Sequence, residues 1–201
     1  MRYRVVIELI SPKQVIGIIS SITRRENEPA AFVTLAHGIC RPARMDFIVE
    51  KGTELGVSSF IFFYSEKSYK PNKNDDSDYR KIHRLERLVQ ASAKQSLRSL
   101  IPSVTFSNSV DSIFSIIKDY DQCYVAAIRP DSKRLAAYLN QVSTVKKFLL
   151  LVGPESGLTI EETEQAIKAG FHPVSLGPRR LRTETAGIVF PAILLNLLGE
   201  I

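Results

Sequence analysis

Residues 148–159 read Phe148-Leu149-Leu150-Leu151-Val152-Gly153-Pro154-Glu155-Ser156-Gly157-Leu158-Thr159, and the abrupt change at Gly153 decides how the chain folds. Five consecutive apolar residues form a strand buried on both faces, and Gly-Pro stops it at once. Thr159 and Glu162 have the T-x-x-E spacing of a capping box, and Gly170 stands where a helix over 159–169 needs its left-handed cap. The loop at 153–157 therefore lies between the carboxyl end of a strand and a helix, where open α/β sheets bind ligands.

The unit repeats. His172-Pro173-Val174-Ser175-Leu176 is a second short strand, stopped by Gly177-Pro178, and Thr183 is the expected N-cap of a helix running to about Leu198. That helix has almost no polar face from Ala186 to Leu195, so it must be covered on all sides. In a chain of this size the expectation is a homodimer, with a second copy covering the face its own sheet leaves free. Pro191 predicts a kink.

Outward from this core the pattern alternates. Strands are expected near 104–106 and 123–128, and helices over 110–118 and 133–140. Alternating apolar strands and helices mean an α/β fold with a mainly parallel sheet. Tyr124-Val125-Ala126-Ala127-Ile128 ends at Arg129-Pro130, a third loop at the same sheet edge. Further back, Met45, Ile48, Val49, Gly52 and Leu55 give a helix ending near Gly56, with Arg41, Arg44, Asp46, Glu50, Lys51 and Glu54 on its other faces. From charge alone these are a solvated surface. Phe60-Ile61-Phe62-Phe63-Tyr64 is a strand, 67–78 a polar surface loop, and a long helix follows with Leu85, Leu88, Val89 and Ala93 on one face. Residues 1–37 read as strands: 3–10 and 15–20 joined by Ser11-Pro12-Lys13-Gln14, and a third at 32–35.

Composition narrows the function. A chain of 201 residues with 44% hydrophobic and 24% charged residues has a proper core and surface. No apolar run reaches membrane-spanning length and Met1-Arg2-Tyr3-Arg4 does not open a signal peptide, so a cytoplasmic protein is expected. Cys40 and Cys123 are far apart, and His37, His83 and His172 make no metal spacing, so reduced structural cysteines and no metal are expected. The histidines read as structural or surface residues. A net charge of +6 suits a polyanionic partner.

The two loops carry a resemblance. G-P-E-x-G-L-T-x-x-E at 153–162, followed after one helix and one strand by L-G-x-R-x-L-R-x-E-T-A at 176–186, resembles the C-terminal signature of the bacterial 16S ribosomal RNA uridine N3-methyltransferases of the SPOUT class. R-M-D-x-x-x-x-K-x-T-E-L-G-V at 44–57 resembles that family's helix opening the catalytic domain, and 94–102 its E-Q-S-x-R-x-x-x-P, with Lys94 in place of the carboxylate. The resemblance implies a C-terminal trefoil knot holding S-adenosylmethionine, preceded by a PUA-like β-barrel of which residues 1–37 supply an incomplete part; residues 38–201 would be the SPOUT domain.

It also implies roles. Ile128, Leu151, Gly153, Ser156, Gly157, Leu176, Gly177 and Leu181 would hold the cofactor, and Arg182 and Glu155 would serve catalysis. Arg41, Arg44, Lys51, Arg98, Arg179 and Arg180 would meet RNA. The family has Gly at the Ser156 position, and a positive φ would strain Ser there. Arg182 has two readings at a helix N-terminus, where the dipole disfavours a cation. One is contact with phosphate, uracil or the cofactor carboxylate; the other is a salt bridge to Glu184 or Glu155. The implied partner is 16S ribosomal RNA or the small ribosomal subunit. One alternative keeps the fold and takes a transfer RNA; another is a non-catalytic RNA-binding protein.

Overall fold

The computed structural model describes residues 2–69, 78–139 and 147–201. Most of the expected polar loop at 67–78, and Asn140 at the end of the expected 133–140 helix, lie outside them. Two strands, β1 (Arg2–Ile10) and β2 (Val15–Thr23), form a separate antiparallel hairpin around the Ser11 turn. The rest is one sheet of six parallel strands: β3 (Phe32–Gly38), β4 (Ser59–Phe63), β5 (Ser103–Ser107), β6 (Gln122–Ala126), β7 (Lys147–Val152) and β8 (His172–Val174), in the order β5-β4-β3-β7-β6-β8. The helices are α1 (Pro42–Leu55), α2 (Asp78–Gln95), α3 (Asp111–Ser115), α4 (Ala136–Leu139), α5 (Ile160–Ala169) and α6 (Thr183–Leu197).

Strand β7 is buried as its unbroken apolar run requires. Phe148 and Leu150 point into a core with Met45, Ile48 and Val49 of α1, Leu85 and Val89 of α2, and Phe190 and Leu194 of α6. Leu149 and Leu151 point the other way, toward Ile113 of α3, Ala166 of α5 and Phe171. Each fully buried Leu or Phe contributes roughly 1.5–3 kcal/mol, so this one strand anchors both layers. The capping box forms as its spacing predicts: Thr159 Oγ1 accepts from Glu162 N at 3.0 Å, and Glu162 Oε2 accepts from Thr159 N at 2.8 Å. Glu162 Oε1 also accepts from Glu66 N, tying α5 to the turn after β4. Gly170 closes α5 with φ 117°.

Three expectations need correction. The strand grouped with the N-terminal hairpin, β3, sits inside the main sheet between β4 and β7, so the sheet begins before residue 38. Its Val33, Leu35 and Ala36 are fully buried, whereas the hairpin's apolar side chains are exposed. Thr183 is the first residue of α6 rather than its cap; Arg182 is the N-cap, without a side-chain bond. Arg98, expected to meet RNA, has its side chain turned inward. Its side chain is 3% exposed and pairs with Glu28, 2% exposed, at 2.7 Å. It also donates to Thr53 O, in the last turn of α1, and to Val57 O, just beyond the Gly56 cap. Glu28 in turn accepts from Ser99 N and Leu100 N.

Removing one partner of such a pair strands a buried charge. Arg98→Ala is expected to lower unfolding stability by about 3–5 kcal/mol in urea titration. A loss under about 1 kcal/mol, the range of exposed pairs, would show the pair to be solvated.

Candidate functional site

The loops after β6, β7 and β8 converge at the carboxyl edge of the sheet around a cleft of about 360 Å³, within the roughly 300–1,000 Å³ of small-molecule sites. Its apolar wall is Ala126, Ala127, Ile128, Leu158, Leu176 and Leu181. The cleft also takes in Gly153, Gly157, Gly177 and Glu155, and Arg129, Arg179 and Arg180 stand in its lining. Six of the eight residues expected to hold a cofactor are thus together: Ile128, Gly153, Gly157, Leu176, Gly177 and Leu181.

Leu151 and Ser156 are not in the lining. Leu151 is fully buried in the second core, because alternation along β7 turns it away and presents Val152 instead. Ser156 is exposed in the loop, and the left-handed conformation falls on Gly157, φ 75°, so the substitution of Ser for Gly carries no backbone strain. Gly153 is confined differently. A Cβ there would lie 2.5 Å from Leu158 N and 2.8 Å from Gly157 C, so the chain folds back over this residue only because it has no side chain.

The loops are tied together at Thr183. Its Oγ1 donates to Gly153 O at 2.7 Å and lies 3.1 Å from His37 Nε2, joining the loop after β7, the start of α6 and the end of β3. His37 is buried, and burial pushes its pKa down despite hydrogen bonds to Gly38 and Thr183 and the nearby carboxylates Glu155 and Glu184. Sequence reading treated His37 as structural or surface and Thr183 as a cap. The L-R-T-E-T-A run placed Thr183 in the site, but nothing local could show which carbonyl its hydroxyl meets.

The acidic residues are claimed by α1. Arg44 Nη1 lies 3.4 Å from Glu155 Oε1 and 3.5 Å from Glu184 Oε2, and Arg41 N donates to Glu155 Oε1 at 3.3 Å. Arg44 therefore fills the role in which a salt bridge from Arg182 was one reading. Arg182, Arg179 and Arg180 are exposed, and none pairs with a carboxylate among the described residues. Arg129 pairs with Asp131 at 2.9 Å. Lys51 is bound by Glu50 and Glu54 and faces a second groove between α1 and α6, lined by Phe47, Leu55, Ile188 and Val189.

Cys40 and Cys123 are free and buried, with burial pushing each thiol up to about 12. No helix among the described residues is long and apolar enough to cross a membrane.

Gly153→Ala is expected to cost about 1–3 kcal/mol, the usual range for overpacking, because the added methyl meets backbone that has no room to shift. Urea titration measures it; an unchanged midpoint would show that the loop relaxes freely.

The site's elements recur in known proteins. Residues 26–195 match the family model for the RNA methyltransferase domain. The chain is 31% identical over 185 residues to ribosomal RNA small subunit methyltransferase E of Bacillus subtilis, covering 90% of this chain and 72% of that one. The enzyme of the same name from Mesomycoplasma hyopneumoniae is 31% identical over 162 residues, 81% of this chain and 68% of the other. Among solved structures, ribosomal RNA small subunit methyltransferase E from Neisseria gonorrhoeae, bound to S-adenosylmethionine, superposes with a TM-score of 0.83 at 26% identity, covering 97% of this chain and 78% of that one. With its fold, its paired loops and most of its length in agreement, the chain belongs to the RNA methyltransferase family.

Proposed function

We propose that this protein transfers a methyl group from S-adenosylmethionine to N3 of a uridine in small-subunit ribosomal RNA. The observation that carries the reading is the convergence of both signature loops on one apolar cleft with unpaired arginines beside it. The size and lining fit the cofactor: Ala127, Ile128, Leu176 and Leu181 suit an adenine ring, and Gly157 and Gly177 have nothing within 4 Å of where a Cβ would stand, so a ligand can lie against their backbone. Bound there, it supplies a sulfonium-activated methyl group, which needs an acceptor lone pair in line.

The chain's own residues would provide that lone pair. Uridine N3 carries a weakly acidic proton, and Glu155, held in place by Arg44 and the Arg41 amide, is the proposed acceptor. As the proton leaves N3, negative charge spreads to the uracil oxygens, where Arg182 would stabilise it. Arg41, Arg179 and Arg180 would bind phosphate, giving salt-dependent affinity without base specificity. Arg44 belongs to the carboxylate frame in this scheme, and Lys51 lies away from the cleft.

Three structural proposals accompany it. The last loop passes beside the loop after β7, and α6 returns from the edge strand β8 to pack on β3, β7 and α1, an arrangement that supports a trefoil knot. The apolar groove between α1 and α6, with Leu197 43% exposed, supports a homodimer across that face. The hairpin β1–β2 would belong to the PUA-like part. A cytoplasmic location follows from an RNA of the ribosome as substrate.

Calorimetric titration with S-adenosylmethionine is expected to show micromolar binding that Ala127→Trp, which fills the cleft, abolishes. Binding unaffected by that change would move the cofactor elsewhere. Arg182→Ala is expected to lower kcat about 100-fold or more with cofactor affinity nearly unchanged, as loss of one charge-stabilising group does. An unchanged kcat would remove Arg182 from the chemistry.

A further inference from the structure

His37 is the next-to-last residue of β3 and 1% exposed, in register with Val152 of β7 and Phe62 of β4. Gly187 of α6 makes room for its ring, since a Cβ there would stand 3.0 Å from His37 Cδ2. Nδ1 lies 2.7 Å from Gly38 O, which can only accept, so Nδ1 carries a proton. Nε2 faces Thr183 Oγ1 at 3.1 Å and Thr183 O at 3.3 Å. The same Oγ1 is 2.7 Å from Gly153 O, another pure acceptor.

The Thr183 hydroxyl thus has one proton and two claimants when the imidazole is neutral. Given to Gly153 O, it leaves the Nε2 lone pair facing two oxygens; given to Nε2, it leaves Gly153 O without its bond. With a second proton on the ring, Nε2–H donates to Thr183 and Oγ1–H donates to Gly153 O, so every group is paired. Only on the charged ring does the Thr183–Gly153 bond form with no Nε2 lone pair left facing the Thr183 oxygens.

The surroundings hold that state in balance. Glu155, from the loop after β7, and Glu184, from α6, favour the imidazolium. Arg44 of α1 spans both carboxylates, and the buried Cys40 thiol stays neutral. Neither Phe62 of β4 nor Val152 of β7 carries a titratable group, and burial of the ring outweighs the carboxylates, so the free protein holds a neutral ring near pH 7.

We propose that His37 is a positioning residue of the cleft: a proton on its imidazole locks the Thr183–Gly153 bond between the two loops, so that filling the cleft is coupled to proton uptake. This rests on the reading of the cleft as the S-adenosylmethionine site. Because bound ligand holds the loops together, it favours the charged ring, and by linkage acid favours binding.

The test is calorimetric titration with S-adenosylmethionine in buffers of different ionisation enthalpy, over about pH 5.5–7 where an imidazole titrates. The wild-type protein is expected to take up part of a proton on binding and to bind several-fold more weakly at the upper end of that range. His37→Gln is expected to bind with neither dependence. Binding without proton uptake, or uptake that persists in His37→Gln, overturns the proposal and leaves the cofactor site intact; absence of binding by the wild type overturns the site itself. Ring nitrogen NMR shifts of His37 need no variant: an Nδ1–H neutral ring in the free protein that becomes charged with cofactor at the same pH supports the proposal, and a ring that stays neutral contradicts it.

Discussion

Six residues of β3, Phe32 to His37, pair in parallel register with Lys147 to Val152 of β7, and the cleft depends on that pairing. Parallel pairing places the carboxyl ends of both strands at one edge, so His37 and Gly153 arrive together although more than a hundred residues separate them in the chain. Adding β6 and β8 in parallel on the far side brings two more strand ends to the same edge. A single geometric constraint thus assembles the loops that bind, the histidine behind them and the start of α6. Main-chain economy explains the rest: a glycine where the loop after β7 folds back on itself, and a threonine hydroxyl bridging to the neighbouring segment.

Charge is arranged in two tiers around this edge. Arg44 on α1 holds two acidic side chains, Glu155 of the loop after β7 and Glu184 of the first turn of α6. The arginines of the last loop remain exposed. That division follows from reach, because α1 starts soon after β3 and its first turn brings Arg44 to both carboxylates, whereas Arg179, Arg180 and Arg182 make no ion pair among the described residues. The site therefore has an internal carboxylate frame and an external cationic rim.

Local chemistry made most of this legible in the sequence. The apolar run of β7, the capping box of Thr159 and Glu162, the Gly170 cap and the strand-helix alternation are decided by near neighbours, and each forms where its spacing indicates. The two glycine-rich loops were recognisable as a pair, and six of eight expected lining residues lie in one cleft. What escaped was set by distant partners. Placing β3 required knowing that Phe32–Gly38 inserts between β4 and β7 rather than beside the hairpin that precedes it. Arg98 looks like any surface cation at a helix end until Glu28, seventy residues away, is folded over it. Leu151 fell on the wrong face because an all-apolar strand gives no alternation from which to tell one face from the other.

The most direct measurement of the central claim is methyl transfer from labelled S-adenosylmethionine to purified small ribosomal subunits, with the product nucleoside identified by mass spectrometry and transfer RNA as the comparison substrate. The account predicts label in small-subunit RNA as 3-methyluridine, lost in the Ala127→Trp protein. Label on a ribose or in transfer RNA, or no transfer by a protein that binds the cofactor, would contradict it.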